Sequence, residues 1–315
     1  MRKAKFQGKK PSVAILGPGR LGLALAIALR ASGYPILAFV SKHADHARRA
    51  AALFNQTEKV VRPLALAEIS QLPSTDLILI TTPDDAIEET VRRLAELDRP
   101  KGKPHHRTVL HTSGALSSAV LAPLAETGFH TGSFHPLISV SDPRAGAEAL
   151  RGAFYCLEGD LSAIKIARQI VSDLGGKSFS IRPEHKALYH AAAVMASPHL
   201  VALFDLAIEM LAGCGLSKKK AKEILLPLLE TTLNNLKLTD TRRALTGTFA
   251  RGDLATVKGH LSALSAREFA DALEVYKLLG LRSVQLASRN GIDEKLLNQI
   301  RRILESTNTR KKHPV

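Results

Sequence analysis

Three histidines and one lysine in this chain stand where a side chain could transfer a proton. His111 ends a short apolar run in VLHTSG, His135 lies in SFHP, and Lys186 and His190 are four residues apart. Histidine titrates near neutral pH, and residues four apart on a helix share one face. His111, His135, Lys186 and His190 are therefore the candidate catalytic residues. Alternatively, the first two satisfy backbone groups at strand ends and the last two face solvent.

A second polar segment, ALTGTFARGD at 244–253, follows much later in the chain. Its composition predicts a compact loop between helices, in which Thr246, Gly247 and Arg251 could bind an anionic group of a substrate. The alternative is an ordinary interhelical turn that is closed by pairing of Arg251 with Asp253.

A glycine-rich turn near the start of the chain is the element most able to position a ligand. The sequence GPGRLG, 17–22, lies between a β-branched run and a segment with leucines and alanines at helical spacing. Gly17 permits a tight turn, Gly19 lets a pyrophosphate approach the backbone, and Gly22 lets helix and strand pack closely. Free N–H groups of the first helical turn, which begins at Arg20 and Leu21, face the anion. The pattern predicts a dinucleotide site; the alternative is a turn without a ligand.

The residues after the second strand indicate which dinucleotide binds. An NAD site usually places an acid there to accept the ribose 2′-hydroxyl, whereas this chain has Ser41 and Lys42, followed by Arg48 and Arg49 on the next helix. A positive charge suits a 2′-phosphate, so NADP is predicted in preference to NAD. The alternative is that these are solvated surface charges.

Two further strand ends complete the predicted site. Thr82 and Pro83 follow the apolar strand 76–81, and Thr112 and Ser113 follow His111. Open α/β sheets bind ligands at the carboxyl ends of their strands. Thr82, Pro83 and Ser113 are therefore predicted to contact the cofactor, and Thr112 and Ser113 to hydrogen-bond a substrate carboxylate or carbonyl oxygen.

The order of the elements predicts an α/β fold with a parallel, doubly wound sheet, followed by an all-α domain. Strands and helices alternate as far as Pro183, and only helical patterns follow, beginning with one long apolar helix over 184–211. The predicted organisation is a basic tail at 1–10, a Rossmann-type domain at 11–182, a helical substrate and dimerisation domain at 183–305, and a basic tail at 306–315.

Composition narrows the class of protein. The chain has 315 residues, of which 45% are hydrophobic, and two cysteines that fall in different predicted domains. This favours two globular domains without a disulfide framework in the reducing cytoplasm. We predict no metal site, no signal peptide and no membrane-spanning segment.

The net charge of +15 arises largely in the two tails. Such tails can bind nucleic acid, but the aromatic content of 4% offers few stacking platforms, so this partner ranks low.

Four sequence segments together resemble one bacterial family. They are HTSGAL from His111, SFHPL from Ser133, YHAAAV from Tyr189 and ALTGTFARGD from Ala244. The family joins a Rossmann-like domain to a helical C-terminal domain of unknown function, and is similar to pyrroline-5-carboxylate reductase and the β-hydroxyacid, or 6-phosphogluconate dehydrogenase-like, dehydrogenases. The resemblance covers the chain apart from its tails.

The resemblance implies an oxidoreductase whose helical domain forms a homodimer. Lys186 matches the lysine of the β-hydroxyacid enzymes by position, whereas His190 stands where those enzymes carry asparagine. Pro198 also replaces an asparagine and predicts a kink in the long helix.

Two functions from different classes follow from these observations. The first is an NADP-dependent oxidoreductase that moves a hydride between nicotinamide and a small carbonyl, imine or hydroxyacid substrate bound between the domains. The second is a sensor or regulatory protein that binds NADP(H) without turnover. An ionisable cluster beside the nicotinamide favours the first.

Overall fold

The computed structural model describes residues 9–55, 60–97 and 107–306. The chain divides into two compact units, one that extends to Ser197 and one that begins at Pro198. The division comes later in the chain than Pro183, because Lys186 and Tyr189 pack on the sheet of the first unit.

The first unit contains an eight-stranded sheet with the order β3-β2-β1-β4-β5-β6-β7-β8. Its strands are β1 Val13–Leu16, β2 Ile36–Ser41, β3 Arg62–Ala65, β4 Leu77–Ile80, β5 Thr108–His111, β6 His130–Pro136, β7 Phe154–Gly159 and β8 Lys177–Phe179. Its helices are α1 Arg20–Ala31, α2 Ala44–Phe54, α3 Ile87–Leu97, α4 Ala122–Ala125, α5 Pro143–Ala149, α6 Leu161–Asp173 and α7 Lys186–Ala196. The predicted α/β class with a Rossmann-type sheet is confirmed.

One strand pair departs from the predicted parallel arrangement, since β7 runs antiparallel to β6. The chain leaves β6 at Pro136, passes through α5, and enters β7 at the same end of the strands, where Tyr155 pairs with Pro136. A parallel connection would instead have to return the chain to the opposite end of the strands.

Several predicted elements differ in their limits. A predicted strand near 59–61 lies partly outside the described residues, and β3 begins at Arg62. A predicted helix over 116–125 is a 3₁₀ turn followed by the short α4, which has a proline in its first turn. The predicted long helix over 184–211 is interrupted at Ser197, before Pro198, because proline cannot donate the helical hydrogen bond.

The polarity of the side chains that cover the sheet differs between its centre and β7. At the centre, residues that point to both faces are fully buried among apolar neighbours, as the Val13–Leu16 strand shows. Toward β7, one face turns polar. Val109 of β5 is in the apolar core of that face, and side chains two apart on a strand share a face, so His111 points there as well. The same alternation places Ser133, His135, Cys156 and Glu158 on that face, because their neighbours Phe134, Tyr155 and Leu157 belong to the opposite core.

The second unit is helical. Its helices are α8 Pro198–Gly213, α9 Lys218–Leu238, α10 Thr241–Ala244, α11 Gly247–Arg251, α12 Leu254–Ala263, α13 Ala270–Ser288 and α14 Glu294–Ser306. A compact core joins the last three of these helices with side chains that include Val257, Val284 and Ile300. Helix α11 occupies residues 247–251 of the segment predicted to be a loop, and Asp253 caps α12 by accepting from the Thr256 N–H instead of pairing with Arg251.

One described segment, 183–213, is long and apolar enough by composition to cross a membrane, with a mean hydropathy of 1.7. This differs from the sequence prediction that no such segment exists. The break at Ser197 divides the segment into helices of 11 and 16 residues. Each is shorter than the roughly 20 residues that a transmembrane helix needs. The apolar residues of α8 are half-buried or exposed, and Leu206 and Met210 line a cavity with α13.

Candidate active site

Two glycines of the turn after β1 are required by packing. Gly17 has a φ of +93°, and a Cβ atom there would lie 2.6 Å from the Thr82 nitrogen. A Cβ atom on Gly22 would lie 2.5 Å from the Gly17 oxygen and from the Thr81 hydroxyl, which itself donates to that oxygen. The turn is thus fitted against the end of β4, and neither position accepts a side chain.

Gly19 differs from these two because the fold does not demand a glycine there. Its φ is −76°, and a Cβ atom would meet nothing within 4 Å. Gly19 is the N-cap of helix α1, which has no side-chain cap and no acid in its first turn, so the N–H groups of Arg20, Leu21 and Gly22 are open to an anion. The open space and these donors fit the pyrophosphate of a dinucleotide.

A cleft of about 390 Å³ extends from this turn along the carboxyl edge of the sheet. Four of the predicted cofactor residues, Gly17, Ser41, Lys42 and Thr82, line it. The hydroxyl oxygen of Thr82 is buried and has no hydrogen-bond partner among the described residues. Pro83, between Thr82 and a 3₁₀ turn that begins at Asp84, is the N-cap of that turn and is not part of the lining. Arg48 pairs with Asp45 at 2.8 Å and is not part of the lining.

Lys186 is the most deeply buried cation of the site, with 1% of its surface exposed. Its ammonium group donates to the Ser113 carbonyl at 3.1 Å and to the Ser133 hydroxyl at 2.9 Å. Within the described ranges no carboxylate lies within 4 Å of it. Burial lowers the pKa of Lys186 below its ordinary value of 10.5. Helix α7 thus inserts a cationic side chain into the polar face of the sheet.

His135 is held by a residue of the same helix. A hydrogen bond of 2.7 Å joins its Nδ1 atom to the Tyr189 hydroxyl. Burial, then the charge of Lys186 and then that of His190 lower the pKa of His135 to about 4. Burial also raises the pKa of Tyr189, so its hydroxyl stays protonated.

His111 lies fully buried at the end of β5, where its Nδ1 atom accepts from the Ser113 N–H at 3.2 Å. Burial and the charge of Lys186 lower its pKa to about 4. The two strand-end histidines are therefore neutral at pH 7, whereas the ordinary pKa of imidazole predicts that a histidine here can carry a proton at neutral pH. Desolvation and a nearby ammonium group oppose a second positive charge.

His190 shares the site with His135 through Gly114. The two imidazole rings meet at a near-right angle with centroids 5.9 Å apart. A Cβ atom on Gly114 would lie 2.4 Å from the His190 Nδ1 atom and 2.8 Å from the His135 Nε2 atom. The absence of a side chain at Gly114 therefore permits both rings to occupy their positions. The four predicted catalytic residues all belong to the first unit, and two of them, His135 and His190, are in direct ring contact.

The other predicted substrate residues have structural partners. The Thr112 hydroxyl donates to the Ile80 carbonyl at 3.3 Å, and the Ser113 hydroxyl accepts from the N–H groups of Ala115 and Leu116. Thr246, Gly247 and Arg251 lie together in the second unit, at the cap and along the short helix α11.

Sequence reasoning missed four residues of the site, namely Ser133, Tyr189, Gly114 and Arg93. Tyr189 stands three residues after Lys186, so helical spacing could have placed it on the same face. Arg93 follows Glu89 at an interval of four, and both line the dinucleotide cleft. Gly114 left no signal in the sequence, because its neighbours come from other elements.

The fold is Rossmann-like, as in NADP-binding oxidoreductases, with a helical C-terminal region. Residues 2–136 match the Rossmann-like domain family, and residues 153–283 match DUF2520, a domain of unknown function. The chain therefore carries a Rossmann-like domain followed by a DUF2520 domain, as the sequence resemblance predicts. No curated protein sequence matches it significantly.

Solved structures extend the likeness over most of the chain. Protein TM1727 from Thermotoga maritima is 23% identical, with a TM-score of 0.69 over 88% of this chain and 99% of its own. A candidate NADP oxidoreductase, BF3122 from Bacteroides fragilis, is also 23% identical, with a TM-score of 0.67 over 89% and 99%. A pyrroline-5-carboxylate reductase from Coxiella burnetii is 12% identical, with a TM-score of 0.54 over 94% and 98%. At these identities the likeness concerns the fold.

Proposed function

We propose that the protein is an NADP-dependent oxidoreductase that acts on a small carbonyl, imine or hydroxyacid substrate. The observation that carries this proposal is the cluster of Lys186, Ser133, His135 and Tyr189 beside the strand ends that continue the dinucleotide cleft. Strands β4 and β5 separate the glycine-rich turn on β1 from the cluster on β6, and all four strands end at one edge. The name of the Bacteroides fragilis relative supports the choice of NADP.

The chain's own groups would bind and orient the two reactants. The uncapped N–H groups after Gly19 would hold the pyrophosphate, and Lys42 would lie near a ribose phosphate. Bound NADP supplies the hydride chemistry. His135 would hydrogen-bond the reacting oxygen or nitrogen, with its ring orientation fixed by Tyr189. The Lys186 charge would stabilise negative charge that develops on a substrate oxygen.

The burial of the cluster favours a second candidate function, a sensor that binds NADP(H) without turnover. Lys186 is almost completely enclosed, and His111 and His135 are neutral at pH 7. In this reading the cluster stabilises the strand ends and no side chain supplies a proton to a substrate.

A substrate panel with the purified full chain separates the two functions. Calorimetry first measures binding of NADPH and NADH. Oxo acids, cyclic imines and hydroxyacids are then added with the matching cofactor form, and nicotinamide absorbance is followed. We expect tight NADPH binding and turnover with at least one class, seen as oxidation of NADPH by an oxo acid or imine or as reduction of NADP+ by a hydroxyacid. Tight binding with no turnover in any class would support the sensor, and no binding of either dinucleotide would reject both.

A further inference from the structure

Three side chains form a row across the polar face of the sheet. His111 on β5 is the register partner of Ser133 on β6, and Ser133 is the register partner of Glu158 on β7. Register partners are nearest neighbours on adjacent strands, and their side chains share one face. The Ser133 hydroxyl also accepts from Lys186. Glu158 therefore lies beside the serine that holds the buried lysine.

Both carboxylate oxygens of Glu158 bind the same residue. The Ser118 N–H donates to Oε1 at 2.5 Å, and the Ser118 hydroxyl donates to Oε2 at 2.7 Å. Glu158 is only 7% exposed, and a carboxylate that is removed from water needs such donors. Ser118 is the first residue of a 3₁₀ turn that ends at Leu121. The two hydrogen bonds thus tie β7 to the start of that turn.

Residues 113–118 connect β5 to this turn and contact the candidate catalytic residues. The Ser113 N–H donates to the His111 Nδ1 atom, and the Ser113 carbonyl accepts from Lys186. The Ser113 hydroxyl accepts from the N–H groups of the residues at 115 and 116, so the segment is folded into a compact turn. The position of this segment therefore affects both His111 and Lys186.

Gly114 of the same segment lies against two imidazole rings. A Cβ atom there would lie 2.4 Å from the His190 Nδ1 atom and 2.8 Å from the His135 Nε2 atom, so the space beside Gly114 is already filled. A shift of the segment toward the rings would displace them, because filled interiors do not accept extra atoms. The strand β5 holds one end of the segment, and Ser118 with its partner Glu158 holds the other.

We infer that Glu158 is a positioning residue of the proposed active site, since its carboxylate holds Ser118 and thereby fixes the segment 113–118 against Lys186 and His135. Glu158 acts through Ser118 and contacts no reactant. The expected effect on turnover rests on the proposed function. The expected effect on the geometry of the histidine rings does not require any turnover.

The charge of Glu158 is a second way in which this residue could influence the site. Burial lowers the pKa of Lys186, whereas Cys156, Glu158 and Asp84 act in the opposite direction. Glu158→Gln separates the two effects, because it removes the charge and keeps both bonds. The amide oxygen can accept from the Ser118 N–H, and the amide nitrogen can donate to the Ser118 hydroxyl oxygen. Glu158→Ala removes the charge and the bonds together.

Imidazole signals in nitrogen and proton NMR spectra of the full chain at pH 7 report the ring geometry directly. His111 and His135 are neutral at this pH, so their signals reflect position rather than protonation. We expect the wild-type signals to persist in Glu158→Gln and to shift in Glu158→Ala. Turnover should fall by roughly 10²-fold in Glu158→Ala, with NADPH affinity nearly unchanged, and should stay close to that of the wild type in Glu158→Gln.

Ser118→Ala provides a milder test, since it keeps the carboxylate and removes only the bond to Oε2. We expect a smaller shift of the same imidazole signals and a smaller loss of turnover. If Glu158→Ala does not fold, the comparison of Ser118→Ala with Glu158→Gln decides whether the bonds or the charge matter.

Asp142→Ala is the matched control. The Asp142 carboxylate also accepts from two backbone N–H groups, at 2.9 and 3.0 Å, but it caps α5, which packs in the apolar core on the opposite face of the sheet. We expect this variant to have a lower melting temperature and unchanged signals of His111 and His135.

Three results would overturn the inference. Unchanged imidazole signals in both Glu158→Ala and Ser118→Ala would show that the segment does not depend on these bonds. Equal shifts in Glu158→Gln and Glu158→Ala would show that the charge acts alone. Equal shifts in Asp142→Ala would show a general response to lost stability. If the wild type turns over no substrate, the proposed function fails, and the imidazole signals still decide the role of Glu158.

Discussion

The Tyr189 hydroxyl lies 2.7 Å from the His135 Nδ1 atom, and the two rings meet edge to face with centroids 5.5 Å apart. Tyr189 also packs against Phe179 of the last strand, with ring centroids 5.9 Å apart. One tyrosine of α7 thus fixes the orientation of an imidazole on β6. Because Lys186 of the same helix contacts Ser133 of the same strand, α7 sets both the geometry and the charge around His135.

The depressed pKa values predict that stability depends on pH. His111 and His135 bind protons at about pH 6.5 when unfolded but only at about pH 4 when folded, so the unfolded state binds more protons between these values. The free energy of unfolding should therefore fall as the pH is lowered from 6.5 to 4, by on the order of 2–3 kcal/mol for each histidine. Urea unfolding at a series of pH values measures this slope.

Substitution of His135 tests whether the pH dependence of the free energy of unfolding arises at this site. His135→Gln should reduce the slope of stability against pH within that window, because its contribution to proton binding in the unfolded state is removed. His46→Gln, on the exposed face of α2, should leave the slope unchanged. Equal slopes in the wild type and in His135→Gln would contradict the prediction.

Lys186→Met should separate catalysis from folding. Methionine fills much of the same volume without the buried charge, so we expect the free energy of unfolding to stay within about 2 kcal/mol of the wild type. Turnover of a substrate should fall by roughly 10²-fold, with NADPH affinity nearly unchanged. Lys165→Met, at an exposed position of α6, is the control and should change neither quantity. Unchanged turnover in Lys186→Met would place the essential charge elsewhere.

Lys42→Asp should erode the preference for NADPH. A carboxylate at the end of β2 repels a 2′-phosphate and accepts a hydrogen bond from a ribose 2′-hydroxyl. We expect NADPH affinity to fall by about tenfold or more and NADH affinity to stay or rise. Calorimetry at physiological salt measures both. Equal affinities for the two cofactors in the wild type would refute the choice of NADP.

Gly19→Ala should impair dinucleotide binding without disturbing the fold. An added methyl group meets no protein atom within 4 Å, but it projects into the space assigned to the pyrophosphate. NADPH affinity should fall by about tenfold or more, while the melting temperature stays close to that of the wild type. Gly259→Ala, where the added methyl group also meets nothing, should retain full affinity. Normal binding by Gly19→Ala would move the pyrophosphate site away from this turn.

We also propose that the second unit forms a two-fold homodimer. None of the residues of α8 is buried, and α9 buries only Ala221, so apolar side chains such as Leu228, which is 63% exposed, need cover from another molecule. Light scattering at micromolar concentration should give the dimer mass for the wild type and a smaller mass for Leu228→Asp. Leu161→Asp, at a 91% exposed position on α6, should remain dimeric. A monomeric wild type would refute the proposal.

Much of the first unit follows from local sequence patterns. The glycine-rich turn, its flanking strand and helix, and the alternation of strands and helices could be predicted, because each depends on backbone conformation and on side-chain periodicity over short distances. A disturbance of the long helix at Pro198 could also be predicted, since proline lacks an N–H group wherever it lies, although the structure shows a break where a kink was expected. Local spacing also placed Lys186 and His190 on one helical face.

Only the tertiary structure determined which of these groups meet and what charge they carry. Gly114 leaves room for the rings of His135 and His190, which come from a strand and a helix that are distant in sequence. Arg93 of α3 and Lys42, which follows β2, line the same cleft although 51 positions separate them in the sequence. The neutral state of His111 and His135 depends on burial and on the distance to Lys186, and neither quantity is set by the sequence near the histidines. Contacts between distant segments and the solvent that they exclude arise only when the sheet is assembled.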